Sequence, residues 1–130
     1  MLKLTDPGLL RTQAYVAGKW IAAKSGGTVT VTNPATGAQL GTVPDCGAGE
    51  TRAAIAAADA ALPAWRNRPA RERAGLLRKL HDLLLANQAD LARLMTAEQG
   101  KPLTEARGEI AYSAGFSSGL ARRPSASMAT

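Results

Sequence analysis

At Gly49 the hydrophobic period of this 130-residue chain changes from about two to about three and a half, so strands belong before that point and helices after it. Ahead of the switch, Ala14-Tyr15-Val16 and Lys19-Trp20-Ile21 flank Ala17-Gly18. That pairing suits a tight hairpin in which Gly18 supplies the positive φ. Thr28, Thr30 and Thr32 alternate with Val29 and Val31, and Asn33-Pro34-Ala35-Thr36-Gly37 then turns the chain into Leu40 to Val43, which predicts a second hairpin. Asp6-Pro7-Gly8-Leu9-Leu10 reads as a short capped helical turn. Gly26-Gly27 is a flexible joint rather than a phosphate loop, because no helix follows it.

Beyond the switch, Ala53, Ala54, Ile55, Ala57, Ala58, Ala61 and Leu62 predict an alanine-rich helix that Pro63 kinks or ends, with Trp65 as an anchor. Asn67 and Pro69 mark a fresh start, and Leu76, Leu77, Leu80, Leu83 and Leu84 trace an apolar stripe at helical spacing. Asn87, with Asp90 three residues on, is placed to cap a short helix carrying Leu91, Leu94 and Met95. Gly100 and Pro102 stop it, and a last helix runs from about Pro102 to Phe116. The fold class is therefore α+β: two amino-terminal β-hairpins followed by about four helices. With aromatics at only 4 % of the chain, the core has to be filled by Ala, Leu, Val and Ile, which favours close-packed helices with small contact faces.

The formal charge of +6 raises a nucleic-acid partner as a possible reading. Its densest run is Arg66, Arg68, Arg71, Arg73, Arg78 and Lys79, with only Trp65 as an interleaved aromatic, and no RNA-binding or zinc-finger pattern occurs. A solvated or subunit-facing helix surface is the better account, so no nucleic-acid partner is expected. One cysteine and one histidine exclude an intramolecular disulfide and a structural zinc site. The opening Met1 to Pro7 does not read as a secretion signal, and no stretch approaches the roughly 18 to 20 apolar residues of a membrane span. A cytoplasmic setting away from the membrane is expected.

Candidate chemistry is sparse. His81 is the one imidazole, set on a helix between Leu80 and Asp82, and it is read as a surface or packing residue. Cys46 lies in the Pro44-Asp45-Cys46-Gly47 connection without an activating neighbour in sequence. Glu98, Glu105 and Glu109 suggest paired carboxylates, but Lys101 precedes Glu105 by one turn, and a solvated charged face explains them at about 0.2 to 0.5 kcal/mol per pair. No dinucleotide fingerprint, P-loop or metal-ligand spacing is present.

Several stretches, in order, resemble the start of aldehyde dehydrogenases. They are Tyr15-Val16-Ala17-Gly18-Lys19-Trp20, then Val31 to Gly37 with Val43-Pro44, then Ala57 to Ala61 leading to Trp65-Arg66, then Arg71-Glu72-Arg73-Ala74. The most specific are Glu98-Gln99-Gly100-Lys101-Pro102-Leu103 and Glu105-Ala106-Arg107-Gly108-Glu109-Ile110, in the version typical of the succinate-semialdehyde dehydrogenase branch. The resemblance implies an incomplete part of that family's cofactor-binding domain. It implies an oxidoreductase parent that oxidises succinate semialdehyde or a similar aldehyde through a cysteine thiohemiacetal, with NAD or NADP as acceptor, in a homo-oligomer. None of the family's catalytic or cofactor-binding positions falls in this stretch. Cys46 does not match the nucleophile motif, so catalytic, cofactor-binding and metal residues are each expected to be absent, and NAD or NADP is not expected to bind well. Phe116 alone falls where the family's last matching helix borders the substrate entrance.

Residues 1–116 are thus read as the amino-terminal part of an aldehyde dehydrogenase domain, and residues 117–130 as a disordered tail. A coding of the family-like continuation F-V-E-W-F-G-E-E-A-K-R-V-Y-G-D can be written in which loss of one base after the Phe codon gives the observed run from Phe116 to Thr130. The expectation is a frameshifted tail on an inactive fragment, whose exposed Leu stripe favours self-association or partial unfolding. The rival from another class is a small helical interaction module that binds a protein partner through its Leu-rich faces.

Overall fold

The computed structural model describes residues 2–122. Its element order is a 3₁₀ turn (Pro7–Leu9), β1 (Ala14–Val16), β2 (Lys19–Ile21), β3 (Thr28–Thr32), β4 (Gln39–Pro44), α1 (Ala48–Arg66), α2 (Ala70–Ala86), α3 (Gln88–Gln99) and α4 (Leu103–Arg122). The two hairpins and four helices of the α+β reading are present, and each hairpin is its own antiparallel two-stranded sheet.

The first hairpin pairs Ala14 with Ile21 and Val16 with Lys19 around a two-residue turn. Both turn residues have positive φ, Ala17 at 51° and Gly18 at 80°. The sequence reading gave that conformation to Gly18 alone. The right-handed twist of the strands calls for a turn with positive φ at both central positions, and Ala17 accepts that at a cost of roughly 1 kcal/mol. Tyr15 and Trp20 stack at 5.0 Å between ring centroids on the exposed face, and the Arg11 guanidinium lies 5.0 Å above Trp20. The second hairpin pairs Thr28 with Pro44 and Val31 with Gly41, with a register irregularity between Val31 and Thr32.

Helix α1 begins after Gly47 and does not end at Pro63, which lies inside it; the helix runs on to Arg66. Proline removes only its own N–H, and the Asn67 N–H still reaches the Pro63 carbonyl at 3.0 Å, so the last turn closes. Asn87 sits between α2 and α3, but its side chain does not cap α3. Its Nδ2 and its backbone N–H both donate to the Leu83 carbonyl, at 2.9 and 3.1 Å, so it closes α2 instead. Gly100 ends α3 in the left-handed region at φ 79°. A Cβ there would also lie 3.1 Å from Pro34 Cγ, a tight contact, so the bare backbone eases the approach of the second hairpin to the end of α3.

α4 packs on both α2 and α3. Its inner face is Ala106, Ile110 and Ala114, at 0 %, 9 % and 0 % exposure; on α3, Ala92 and Ala97 are buried as well, with Ala97 lining a cleft toward the second hairpin. The expected small contact faces are present. Two hydrogen bonds lock α4 in register, from Gln88 Nε2 to the Arg107 carbonyl at 3.0 Å and between His81 Nδ1 and the Ala114 carbonyl at 2.8 Å. The helix continues to Arg122, so the boundary set at Phe116 falls within α4 and residues 117–122 are helical. The rest of the expected tail, 123–130, lies outside the described residues.

Two outcomes follow. Ala106→Leu should overfill the α4 seam and lower stability by about 1 to 3 kcal/mol, read as a lower urea midpoint at unchanged m-value. Ala17→Asn should relieve the turn and raise stability by about 0.5 to 1 kcal/mol in the same assay, and a lower midpoint would contradict the turn assignment.

Candidate functional site

The ionisable residues singled out in the sequence do not converge. His81 is half-buried between α2 and α4, and because its Nδ1 faces a carbonyl oxygen that nitrogen must carry the proton. It acts as a helix-to-helix tie, with no nucleophile beside it. Cys46 is a free, half-buried thiol in the connection from β4 to α1, and among the described residues no hydrogen bond reaches its sulfur. Glu98, Glu105 and Glu109 are exposed. Lys101 pairs with Glu109 at 2.6 Å rather than with Glu105 one turn away, because Gly100 and Pro102 interrupt the helix and the shared-helix spacing never applies. Phe116 is 58 % exposed and meets Tyr112 edge to face at 4.8 Å.

Two carboxylates that sequence reasoning did not single out for burial carry the strongest polar geometry. Glu50, at the first turn of α1, is 8 % exposed. Its Oε1 accepts the Lys24 backbone N–H at 2.8 Å and its Oε2 accepts the Gly47 N–H at 3.1 Å. Asp90 of α3 is 4 % exposed; its Oδ2 accepts the Asp6 N–H at 2.8 Å, and its Oδ1 takes Arg93 Nη1 at 2.8 Å. The Lys24 amide, foremost, holds Glu50 below the usual carboxylate range. The Asp6 amide, followed by the Thr5 amide and Arg93, does the same for Asp90. In each group one oxygen accepts a main-chain N–H of another segment and the other accepts from its own helix region, Gly47 for Glu50 and Arg93 for Asp90, so they serve as clamps. A signal existed for Glu50: it stands three residues after a helix-starting Gly47, the place from which a glutamate reaches back to the cap. Nothing local predicts the Asp90 contact with Asp6, which is 84 positions away.

The concave surfaces are consistent with this. A cleft of about 420 Å³ lies between the amino-terminal arm, the second hairpin and α3, and its polar lining is Asn33, Thr36 and Gln39, with no ionisable side chain. An open groove of about 350 Å³ on α4 carries Lys101, Glu105, Glu109 and Tyr112, and there the Lys101 charge is already paired. Among the described residues no group of three metal-capable side chains occurs, and no helix is long and apolar enough to cross a membrane. A dinucleotide needs a strand, a glycine-rich turn and a helix whose first amides face the pyrophosphate. Here Gly26-Gly27 leads into β3, and both sheets are antiparallel hairpins, so the described residues do not fit that cofactor.

Because both clamps have depressed folded-state pKa values, their contribution is present above the unfolded carboxylate range, at about pH 4, and is lost as pH falls through the lower folded-state values. Asp90→Asn with Glu50→Gln should lower the melting temperature by several degrees at pH 7 and flatten the acid limb of a stability-versus-pH curve. An acid limb as steep as the parent's would show that other groups carry it.

Comparison with known proteins gives a consistent set of likenesses. Residues 20–127 match the family model described as "Aldehyde dehydrogenase family". The chain is 59 % identical over 115 residues to glutarate-semialdehyde dehydrogenase of Pseudomonas putida, covering 88 % of this chain and 24 % of that protein. It is 57 % identical, with the same coverage, to the succinate-semialdehyde dehydrogenase [NADP(+)] of Escherichia coli. Among solved structures it is similar to an E. coli NADP-dependent enzyme, with TM-score 0.90 and 56 % identity over 92 % of this chain and 25 % of that one. The chain thus spans about a quarter of the length of the curated relatives it matches.

Proposed function

The chain belongs to the aldehyde dehydrogenase family, and we propose that it is the structural amino-terminal quarter of a semialdehyde dehydrogenase, without catalytic activity of its own. What carries this reading is the combination of 57 to 59 % identity to semialdehyde dehydrogenases with coverage of only 24 % of their length. The site geometry supports it. The two carboxylates with lowered pKa values are tied to backbone amides, the histidine is tied to a carbonyl, and the cysteine is a free, half-buried thiol.

In the parent reaction proposed here, succinate semialdehyde or a similar aldehyde is oxidised through a cysteine thiohemiacetal with NAD or NADP as acceptor. This quarter supplies none of those reacting groups. Its part is to hold α4, with Phe116 on it as a wall of the substrate entrance, against α2 and α3. Residues 117–130 are proposed to derive from a slipped reading frame, which sequencing of the gene across the Phe116 codon decides.

The purified chain should show no turnover above background with succinate or glutarate semialdehyde and either nicotinamide cofactor. Titration with NAD or NADP should leave the fluorescence of Trp20 and Trp65 without a saturable change. Cofactor-dependent aldehyde oxidation by the chain alone would overturn the proposal.

A further inference from the structure

Residues 2–10 are held to the helices through one polar anchor. Within this arm the Leu9 and Leu10 N–H groups donate to the Asp6 and Pro7 carbonyls, each at 3.2 Å, and Asp6 Oδ1 accepts the Gly8 N–H at 2.9 Å, so these bonds close the 3₁₀ turn on itself. The anchor is Asp90 of α3, whose Oδ2 accepts the Asp6 N–H at 2.8 Å. Asp90 is 4 % exposed, Arg93 steadies it from its own helix, and the neighbouring Thr5 amide also favours its charged form.

Apolar burial adds little to that anchor. None of residues 2–10 is buried: Leu2, Leu4 and Leu9 are half-buried and Leu10 is 37 % exposed. Leu2 and Leu10 face Leu40 and Ala97 across the cleft of about 420 Å³, so open space rather than packed side chain lies between them. The chain after Leu10 is held differently. Arg11 lies 5.0 Å above Trp20, and a Cβ on Gly41 would be 3.8 Å from Thr12 Cγ2, so Arg11 and Thr12 rest on the two hairpins. α3 is packed on α4 without help from the arm. A fastener at one end, a held stretch at the other and a loosely packed span between them suit a segment that opens by itself, because a local opening gives up only the contacts of the part that moves.

We infer that residues 2–10 form a strap, fastened by the Asp90 carboxylate, that opens about the Leu10–Arg11 junction while the hairpins and helices stay folded. Opening removes one wall of the cleft and bares Leu40 and Ala97, with Asn33, Thr36 and Gln39 beside them, so the Asp90 contact governs access to that surface. The strap stands on these contacts alone and is independent of the functional reading above.

Native-state hydrogen exchange on the 130-residue chain, followed by NMR across sub-denaturing urea, tests the strap. The Asp6, Leu9 and Leu10 amides should exchange through an opening with little urea dependence, since it exposes little surface, whereas the Ala106 and Ala114 amides of α4 should follow the m-value of global unfolding. Asp90→Ala removes the fastener and should speed exchange of the arm amides by about tenfold or more. Glu50→Gln weakens the other clamp, which the open strap still keeps, so it should speed exchange in α4 and leave the arm amides at the parent rate. Arm amides with the same urea dependence as α4 would show that the strap leaves only with the whole fold; that result overturns the proposal on the parent chain alone, even if Asp90→Ala does not fold. Arm exchange unchanged by Asp90→Ala, or raised equally by Glu50→Gln, would overturn it as well.

Discussion

The close approach of α4 to its two neighbours is the constraint on which the helical half depends. Ala106 and Ala114 present only a methyl group to the seam, and Ile110 between them is the largest side chain in the described core. Helices in contact through alanine come near enough for side chains to reach across to backbone, which is why Gln88 and His81 find carbonyls of α4. Ridges of leucine would hold the axes further apart and put those carbonyls out of reach. The small residues therefore set both the packing distance and the polar register.

A core of this kind removes little apolar surface, since a methyl or methylene group contributes only about 0.8 kcal/mol. Directional contacts take a larger share of the specification. Asp90 ties the amino-terminal arm to α3, and Glu50 ties the exit of the first hairpin to the start of α1. A buried carboxylate has a large desolvation cost when unpaired, so each of these sites disfavours any arrangement in which its amides are not in place. The depressed pKa values of the two groups report that requirement, and the same physics that makes a carboxylate useful in catalysis is here taken up by chain placement.

Most elements were legible because their causes are local. The hairpins follow from strand alternation and turn residues, and the α3 terminus follows from Gly100. Where local reasoning went astray, a distant or neighbouring partner had intervened. Asn87, with Asp90 three residues on, read as the cap of α3, but the Asn87 side chain turns back to the Leu83 carbonyl and Asp90 is taken by Asp6 and Arg93. Lys101 read as the partner of Glu105, but the break before α4 sends it to Glu109. Pro63 read as a kink or an end, and the helix does not end there but runs on to Arg66 through an exposed last turn. The backbone clamps were harder to see, because carboxylate-to-amide contacts leave no periodic trace.

That a quarter of a chain should carry the backbone of the corresponding part of a whole enzyme follows from how its contacts are distributed. Each hairpin closes on itself, and α2, α3 and α4 are consecutive helices joined by short connections, so the loop-closure cost of these pairings is small. Pairings between more distant positions add to these: α4 packs on α2 across the intervening α3, and Asp90 reaches Asp6. Backbone geometry is thus set by pairings within the segment, whereas Ile55 and Leu62 of α1 and Leu76, Leu80 and Leu83 of α2 stay exposed among the described residues. Conformation and burial have separate causes here: the first is satisfied by pairings within the segment, the second only in part, at the alanine face of α4.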